Sequence, residues 1–237
     1  MTLASRYGDA VLETLHQYPS PELLPLALVK ACVVAFPVAG AGISATEGLR
    51  IPLAASDDVV ARAERLQTTL GEGPCLAAAE RGTGAVTDLE TLRQTWPVFC
   101  DQIVALTPYR SIASVPLLGP NGSALAALDL YSTDPSGDAF EAIADLELAI
   151  AQPAAALLLA APMTTGLDGV EMPAWFDTDA ASGRMDVWVA VGMLMARSAF
   201  SNDDALAALR AFAYSRDLTL DEVAVLLLTR VLLPSDI

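Results

Sequence analysis

The residue types that carry out most enzyme chemistry are scarce in this chain. His16 is the only histidine, and the three cysteines, Cys32, Cys75 and Cys100, are widely spaced and form no C-x-x-C pair. Neither a zinc site nor a disulfide framework is indicated, and a catalytic triad has a single possible histidine. An exposed position on a helix accounts for His16 without catalysis, because an acid–base role needs a positioned partner. We expect no enzymatic activity.

Arginines are the other residues that could form a functional site, and five of them lie between residues 184 and 230. Guanidinium groups bind phosphates and bases through paired hydrogen bonds. The same stretch to residue 237 also contains seven acidic residues, which leaves a net charge of 5 − 7 = −2. Non-specific affinity for nucleic acid should therefore be weak and easily lost to salt.

Three short helices are predicted to position these arginines. Apolar residues recur at the spacing of one buried helix face at Val187, Val191, Leu194 and Met195. Ser201 precedes Asp204 by three residues and Thr219 precedes Glu222 by three, which are the spacings of capping boxes. The predicted helices span residues 184–199, 202–215 and 220–233, and Pro234 stops the last.

The same segment resembles an ANTAR domain, a small helical module that binds RNA hairpins and prevents transcription termination. The resemblance lies in the run from Ala190-Val191-Gly192 to Arg197, in Leu209-Arg210, and in Leu220-x-x-Val223-Ala224. It implies RNA stem-loops as the partner. The residues that it implies as RNA contacts are Arg184, Gly192, Arg197 and Arg210.

One departure from the family leaves a second interpretation open. Val191 stands where the family usually has a lysine, so one expected cation is replaced by an apolar side chain. An ANTAR-like module without this lysine can have lost RNA binding and act in protein association or regulation. Exposed apolar residues around Trp188 or Val191 would favour that alternative.

The first two thirds of the chain predict an α+β fold with an antiparallel sheet flanked by helices. Strand-like runs are expected at residues 39–44, 49–53, 85–87, 111–118 and 125–131, the last two joined by a turn at Gly119-Pro-Asn-Gly122. Helical runs are expected at residues 10–16, 21–36, 57–70, 96–106 and 140–159. Pro153 should kink or restart the last helix unless packing compensates.

This part of the chain resembles a GAF domain, of the branch fused to ANTAR modules in actinobacterial regulators. The motifs are Gly71-Glu-Gly73-Pro74-Cys75, Asp88-Leu89 and Trp96-Pro97-x-Phe99. The resemblance implies a GAF-like sensor domain over residues 1–161, an acidic linker over 162–183 and an ANTAR-like domain over 184–237. Together they imply a signal-responsive regulator of transcription antitermination.

GAF domains typically hold a small molecule between the sheet and the loops that cover it. An apolar and aromatic lining here would consist of Trp96, Phe99, Tyr109, Leu128 and Tyr131, although an ordinary core contains the same residue types. Gly71 to Pro74 form a structural turn or a ligand contact, and the turn is favoured. The residues that mark cyclic-nucleotide or heme binding are not recognisable, so the ligand stays unknown.

Composition sets the remaining expectations. The net charge is −16, and Lys30 is the only lysine among 13 cationic residues, which argues against a general nucleic-acid or membrane surface. No secretory signal is recognised, and the apolar tract over residues 148–163 is short for a membrane span. We expect a soluble cytoplasmic homodimer. Trp175 and Phe176 in the linker should pack on a domain or on a partner chain, because large aromatics prefer burial.

Overall fold

The computed structural model describes residues 2–46, 50–140, 142–165, 169, 171–176, 179–197 and 199–237. The side chains of residues 179–184 lie outside this description. Within it, a sheet covered by helices on both faces is followed by three helices with a buried core of their own. We call the first part, residues 3–160, the N-terminal unit and the second, residues 179–228, the three-helix unit.

The sheet of the N-terminal unit has five antiparallel strands in the order β2-β1-β5-β4-β3. Their bounds are β1 Gly40–Ala45, β2 Ile51–Ala55, β3 Ala85–Thr87, β4 Ser111–Leu118 and β5 Ala124–Ser132. Gly122, with φ 80°, completes the predicted turn between β4 and β5. The predicted α+β class is confirmed, the predicted bounds of β3 and β4 match these, and those of β1, β2 and β5 differ by one or two residues at each end. Leu49, the predicted start of β2, lies outside the described residues.

The first face of the sheet packs against α1 Leu3–Gln17, α2 Leu24–Ala35 and α7 Ile143–Ala160. Alternate strand residues point into this core, as a strand's two-residue period requires. They include Ile43, Val115 and Leu128, all fully buried. His16 is exposed on α1 and its Nδ1 lies 2.7 Å from the Leu12 carbonyl oxygen, as expected of a surface helix residue.

Helix α7 is the one described helix that is long and apolar enough to cross a membrane by length and composition. Its buried residues, which include Leu146, Ile150, Ala154 and Leu158, pack into the core of the sheet. This is the behaviour of a core helix. The helix runs through Pro153 without a break, and Ile150 and Ala154 on either side of it are buried in the core.

The second face of the sheet is covered by α3 Asp58–Leu70 and α4 Pro74–Arg81. Two further helices, α5 Leu89–Thr95 and α6 Pro97–Leu106, pack beside α3. The sequence prediction missed α4 and α5, which have only eight and seven residues. Helices this short leave little hydrophobic periodicity to recognise.

Three helices, α8 Asp179–Met195, α9 Asn202–Ser215 and α10 Leu220–Leu228, form the three-helix unit. Both predicted capping boxes are present, with Ser201 and Asp204 bonded reciprocally at α9 and Thr219 and Glu222 at α10. Three predicted bounds were wrong. Helix α8 begins five residues before Arg184 and ends at Met195 rather than at residue 199, and α10 ends at Leu228 rather than at residue 233. Arg230, with φ 60°, turns the chain away from the helical path.

The segment between the two units contains regular structure among its described residues, although the sequence predicts a linker. A hairpin pairs β6 Met163–Thr165 with β7 Glu171–Pro173, and a short 3₁₀ turn follows over Ala174–Phe176. Trp175 is buried in the core of the N-terminal unit, and its Nε1 donates a hydrogen bond of 2.9 Å to the Leu158 carbonyl. The prediction that this aromatic pair packs on a domain is confirmed.

Replacing Trp175 should therefore destabilise the N-terminal unit. We expect Trp175→Ala to lower the free energy of unfolding by about 3–5 kcal/mol, because it leaves a large cavity. Trp175→Phe keeps most of the packing and should cost less than half as much. Chemical denaturation of the full chain, followed by circular dichroism, measures both. A Trp175→Ala protein as stable as the wild type would contradict the packing described here.

Candidate functional site

The second face of the sheet contains a buried polar network built around Arg50. This side chain lies just before β2 and is almost fully buried. Its Nη2 is 2.6 Å from Glu64 Oε2, and its Nη1 donates to the Glu64 carbonyl at 2.6 Å and to Thr68 Oγ1 at 2.9 Å. Its Nε donates to Cys75 Sγ at 3.2 Å. All of these partners lie on α3 or at the start of α4, so Arg50 links β2 to both helices.

Two carboxylates share this single cation. Glu64 accepts a hydrogen bond from Ser44 Oγ at 2.7 Å and another from the Tyr131 hydroxyl. Asp129, on β5, has one oxygen 3.7 Å from Arg50 Nη2 and accepts from Gln67 Nε2 at 2.6 Å. Its other oxygen accepts from Ser114 Oγ. The network therefore also joins α3 to β1, β4 and β5.

Charge balance in this site depends on Asp129. With Arg50, Glu64 and Asp129 all ionised, the buried site would carry one uncompensated negative charge. Burial, and then the neighbouring Glu64 carboxylate, raise the pKa of Asp129 to about 7, against the opposing effect of Arg50. Near neutral pH the site is thus close to the point at which it takes up or loses a proton.

The sequence prediction missed this network, although two signals were available. Asp129 is a charged residue between two leucines in an apolar strand. The buried stripe of α3, at Val60, Ala63, Glu64 and Gln67, has helical spacing but is half polar. A hydrophobicity scale identifies buried helix faces by their apolar residues, so it does not identify a buried face that is half polar. The partner Arg50 becomes a neighbour only when the strands pair.

The turn at Gly71–Pro74 has the structural role that the sequence favoured. Gly71, with φ 71°, ends α3 in the left-handed conformation, and Pro74 begins α4 after Gly73, which has φ 137°. Cys75 is buried, and Arg50 lies beside it in space although no cation is near it in sequence. Burial raises the pKa of the Cys75 thiol, so it is not an activated nucleophile.

The five residues predicted to line a ligand pocket divide between the two faces of the sheet. Phe99, Tyr109 and Tyr131 are buried together on the second face, with Trp96 packed against them. Tyr109 and Tyr131 have ring centroids 4.8 Å apart. Leu128 lies in the core on the opposite face, because it neighbours Asp129 in the strand alternation. The structure therefore brings four of the five together, as a packed cluster.

The residues predicted to contact RNA are also separated. Gly192 and Arg197 are exposed, and the side chain of Arg184 lies outside the described residues. Arg210, on α9, packs against Gly71 at the end of α3, where its Nε is buried without a hydrogen-bond partner. Burial lowers the pKa of Arg210. Its guanidinium group is thus part of the contact between the two units.

Val191, which replaces the family lysine, is buried in the core of the three-helix unit with Val187 and Leu194. The sequence prediction treated this position as a lost contact to RNA. In the structure the position points into the core, where an apolar side chain is the favourable choice. Trp188 is partly buried against the same core. Neither residue therefore provides the exposed apolar surface that the sequence analysis named as a sign of protein association.

A cleft with a volume of about 460 Å³ lies between the two units. Its walls are α3, α6 and the turn that joins α9 to α10. The lining residues are Arg62, Arg65, Leu66, Thr69, Leu70, Gln102, Leu106, Tyr214, Asp217, Leu218 and Thr219. The sequence prediction assigned none of these residues to a ligand site, because the cleft exists only where the two units meet.

Comparison with known proteins gives a likeness in structure only. No family model matches the chain, and no curated protein matches it in sequence. One similar solved structure is the GAF domain of a phosphoenolpyruvate-protein phosphotransferase (ptsP) from Coxiella burnetii. It has 15% identity and a TM-score of 0.47, over 65% of this chain and 91% of that one.

Two other solved structures are similar to this chain over nearly the same share of its length. The A. Aeolicus nlh2 GAF domain in an inactive state has 13% identity and a TM-score of 0.44, over 65% of this chain and 96% of that one. A type II free methionine-R-sulfoxide reductase from Thermoplasma acidophilum has 16% identity and a TM-score of 0.37, over 66% and 94%. All three TM-scores lie below 0.5, so no functional residue is transferred from these proteins.

The raised pKa of Asp129 predicts a distinct pH dependence. The folded chain holds a proton on Asp129 that the unfolded chain releases between about pH 4 and pH 7. This contribution to stability is complete below about pH 4 and is lost as the pH rises to 7. The stability of the wild type relative to Asp129→Asn should therefore fall by up to about 1.4 kcal/mol per pH unit across that range.

Denaturation of both proteins at several pH values measures this difference. The amide introduced by Asp129→Asn can keep the network by accepting from Gln67 and donating to Ser114. Asp101→Asn, which removes an exposed carboxylate on α6, is the control and should show no such trend. A constant difference between the wild type and Asp129→Asn over this pH range would contradict the assignment.

A second prediction concerns the contact between Gly71 and Arg210. Gly71→Ala introduces a Cβ into a left-handed position and into the Arg210 guanidinium group. Gly82→Ala is a matched control, because Gly82 has φ 66° at the end of α4 with open space around it. The control should cost about 1 kcal/mol of stability through backbone strain alone. Gly71→Ala should lower the free energy of unfolding by more than Gly82→Ala does. Equal losses for the two variants, measured by chemical denaturation, would contradict the contact between Gly71 and Arg210.

Proposed function

We propose that this chain is a signal-responsive regulator that binds stem-loops in nascent RNA and thereby prevents transcription termination. The N-terminal unit is the GAF-like sensor and the three-helix unit is the ANTAR-like output. The observation that carries the proposal is the three-helix unit itself. Its α9 and α10 begin at the two capping boxes of the segment that resembles an ANTAR domain. The proposal includes no enzymatic activity.

The contact between Arg210 and Gly71 supports a regulated output. Arg210 is one of the four residues that the resemblance implies as RNA contacts, yet here its guanidinium group packs on the end of α3. We infer that this docked arrangement is the inactive one. A signal that favours the undocked arrangement would release Arg210 for RNA, and its effect is limited by its differential affinity for the two arrangements.

Helix α3 is a suitable element to transmit such a signal. Its buried face carries Glu64 and Gln67 of the polar network, and its C-terminal end contacts α9. A displacement of α3 would therefore disturb the network and the docking contact together. Packed polar networks have discrete arrangements, so a small displacement is converted into a change of state.

RNA binding is tested with the full chain and an RNA that carries two adjacent stem-loops, beside a single-loop control. We expect selective binding to the paired loops with a modest salt slope, because the three-helix unit carries a net negative charge. Arg184→Ala and Arg197→Ala should each weaken binding about five- to tenfold. Arg93→Ala, on α5 and ion-paired with Glu90, is the control. Absence of binding at low salt by both the folded wild type and folded Gly71→Ala, in which the docking contact is disrupted, would contradict the proposal.

A second candidate function, protein association through α8, is favoured by a different observation. Met185, Val189 and Gly192 are exposed at helical spacing and so share one face of α8. Met185 and Val189 expose 57% and 51% of their surface, and Gly192 has no neighbour that a Cβ would touch. An apolar face with a glycine allows a second helix to approach closely. The occupant we propose is α8 of a second copy, in a homodimer.

Val189→Glu places a charge in the centre of this face and should shift the chain from dimer to monomer. Val225→Glu is a matched control, because Val225 is similarly exposed, at 47%, on α10. Sedimentation velocity over a range of concentrations measures both variants. Dimerisation that survives Val189→Glu, or is lost equally with Val225→Glu, would exclude α8 as the interface.

A further inference from the structure

We propose that the cleft between the two units binds a small organic anion with an apolar body, and that its occupancy changes the docking of the three-helix unit. The second part rests on the proposed function, whereas the binding site does not. The cleft has a volume of about 460 Å³, within the usual range for sites of small molecules. Three observations indicate its chemistry.

The first is the position of two arginines at the cleft. Arg62 and Arg65 are exposed one helical turn apart on α3, and neither forms an ion pair with the described residues. Asp217 supplies the one carboxylate of the lining, so the net charge is one positive. An anion is the ligand that this charge favours.

The second observation is the apolar wall. Leu66 and Leu70 from α3 face Leu106 from α6, and Leu218 and the Tyr214 ring come from the three-helix unit. Apolar walls with a few polar groups are typical of small-molecule sites. Inorganic phosphate would leave this wall without contact, so a ligand with an aromatic or aliphatic body fits better. Carboxylates, sulfonates and phosphate esters share the required anionic group.

The third observation is the backbone at the rim. Asp217 has φ 52°, a left-handed conformation that is uncommon for a residue other than glycine. The following Leu218 N–H donates to the Ala213 carbonyl at 2.9 Å, which holds this turn over the cleft. The turn that closes the cleft therefore belongs to the three-helix unit, and the opposite wall belongs to α3. A ligand between them contacts both units at once.

The space beneath the sheet is less suitable for a ligand of this size. Between α3 and the strands, the side chains of Arg50, Glu64 and Asp129 are packed with almost no exposed surface. A ligand there would have to displace hydrogen-bonded charges. The cleft needs no such rearrangement, because the volume is already present. Helix α3 borders both places, so a ligand in the cleft acts on the helix that carries the network.

The site is tested on the full chain with two fluorescent probes that differ in one charged group. The probes are 8-anilinonaphthalene-1-sulfonate and N-phenyl-1-naphthylamine, which has the same rings but lacks the sulfonate. The double variant Arg62→Gln, Arg65→Gln should weaken the sulfonate about fivefold and leave the neutral probe within about twofold. Leu106→Trp should fill the cleft and weaken both probes. Arg93→Gln, which removes an exposed arginine on α5, should change neither.

Two results would overturn the proposal. The arginine variant could leave sulfonate affinity within about twofold of the wild type, or Leu106→Trp could leave both probes bound as before. Either would show that the probes bind elsewhere. RNA binding is measured separately, with and without saturating sulfonate probe. If the chain binds the probe as expected but never binds RNA, the proposed function is contradicted. If it binds RNA but does not bind the probe as expected, the proposed ligand site is contradicted.

Discussion

Burial of Arg50 between α3, α4 and the sheet is the constraint on which the rest of this structure depends. A guanidinium group without water must be paired and hydrogen-bonded, and Glu64, Thr68 and Cys75 meet that requirement from two helices. Satisfying Arg50 therefore fixes the position of α3 over the sheet. The position of α3 in turn sets where Gly71 lies, and with it where Arg210 and the three-helix unit can dock.

The network also determines what the second face of the sheet can do. The sequence prediction placed any ligand in the space between the sheet and the segments that cover it. Here polar side chains and an aromatic cluster of Phe99, Tyr109 and Tyr131 fill that space. A cleft of about 460 Å³ lies on the other side of α3, against α9 and the turn after it. The proposed ligand site and the docking contact therefore involve the same helix, which is a direct route for coupling two sites.

Local signals in the sequence predicted most of the helices and strands, but they did not predict the contacts between them. Capping boxes at Ser201 and Thr219 predicted the starts of α9 and α10 to the residue, because a cap is satisfied within four positions of the chain. Leu128 and the aromatic cluster lie on opposite faces of the sheet because neighbouring strand residues alternate between faces. Predicting this separation requires knowledge of how the strands pair. Burial of Arg50, the contact of Arg210 with Gly71, and the cleft all depend on residues far apart in sequence. No local pattern predicts them.

Docking as the control of RNA binding is the central claim, and one measurement tests it most directly. The affinity of full-length Gly71→Ala for an RNA with paired stem-loops is compared with that of Gly82→Ala and the wild type. Both substitutions strain a left-handed position, but only the first interferes with Arg210. If docking withholds Arg210 from RNA, Gly71→Ala binds severalfold more tightly than the other two proteins. Equal affinity of all three would contradict the account.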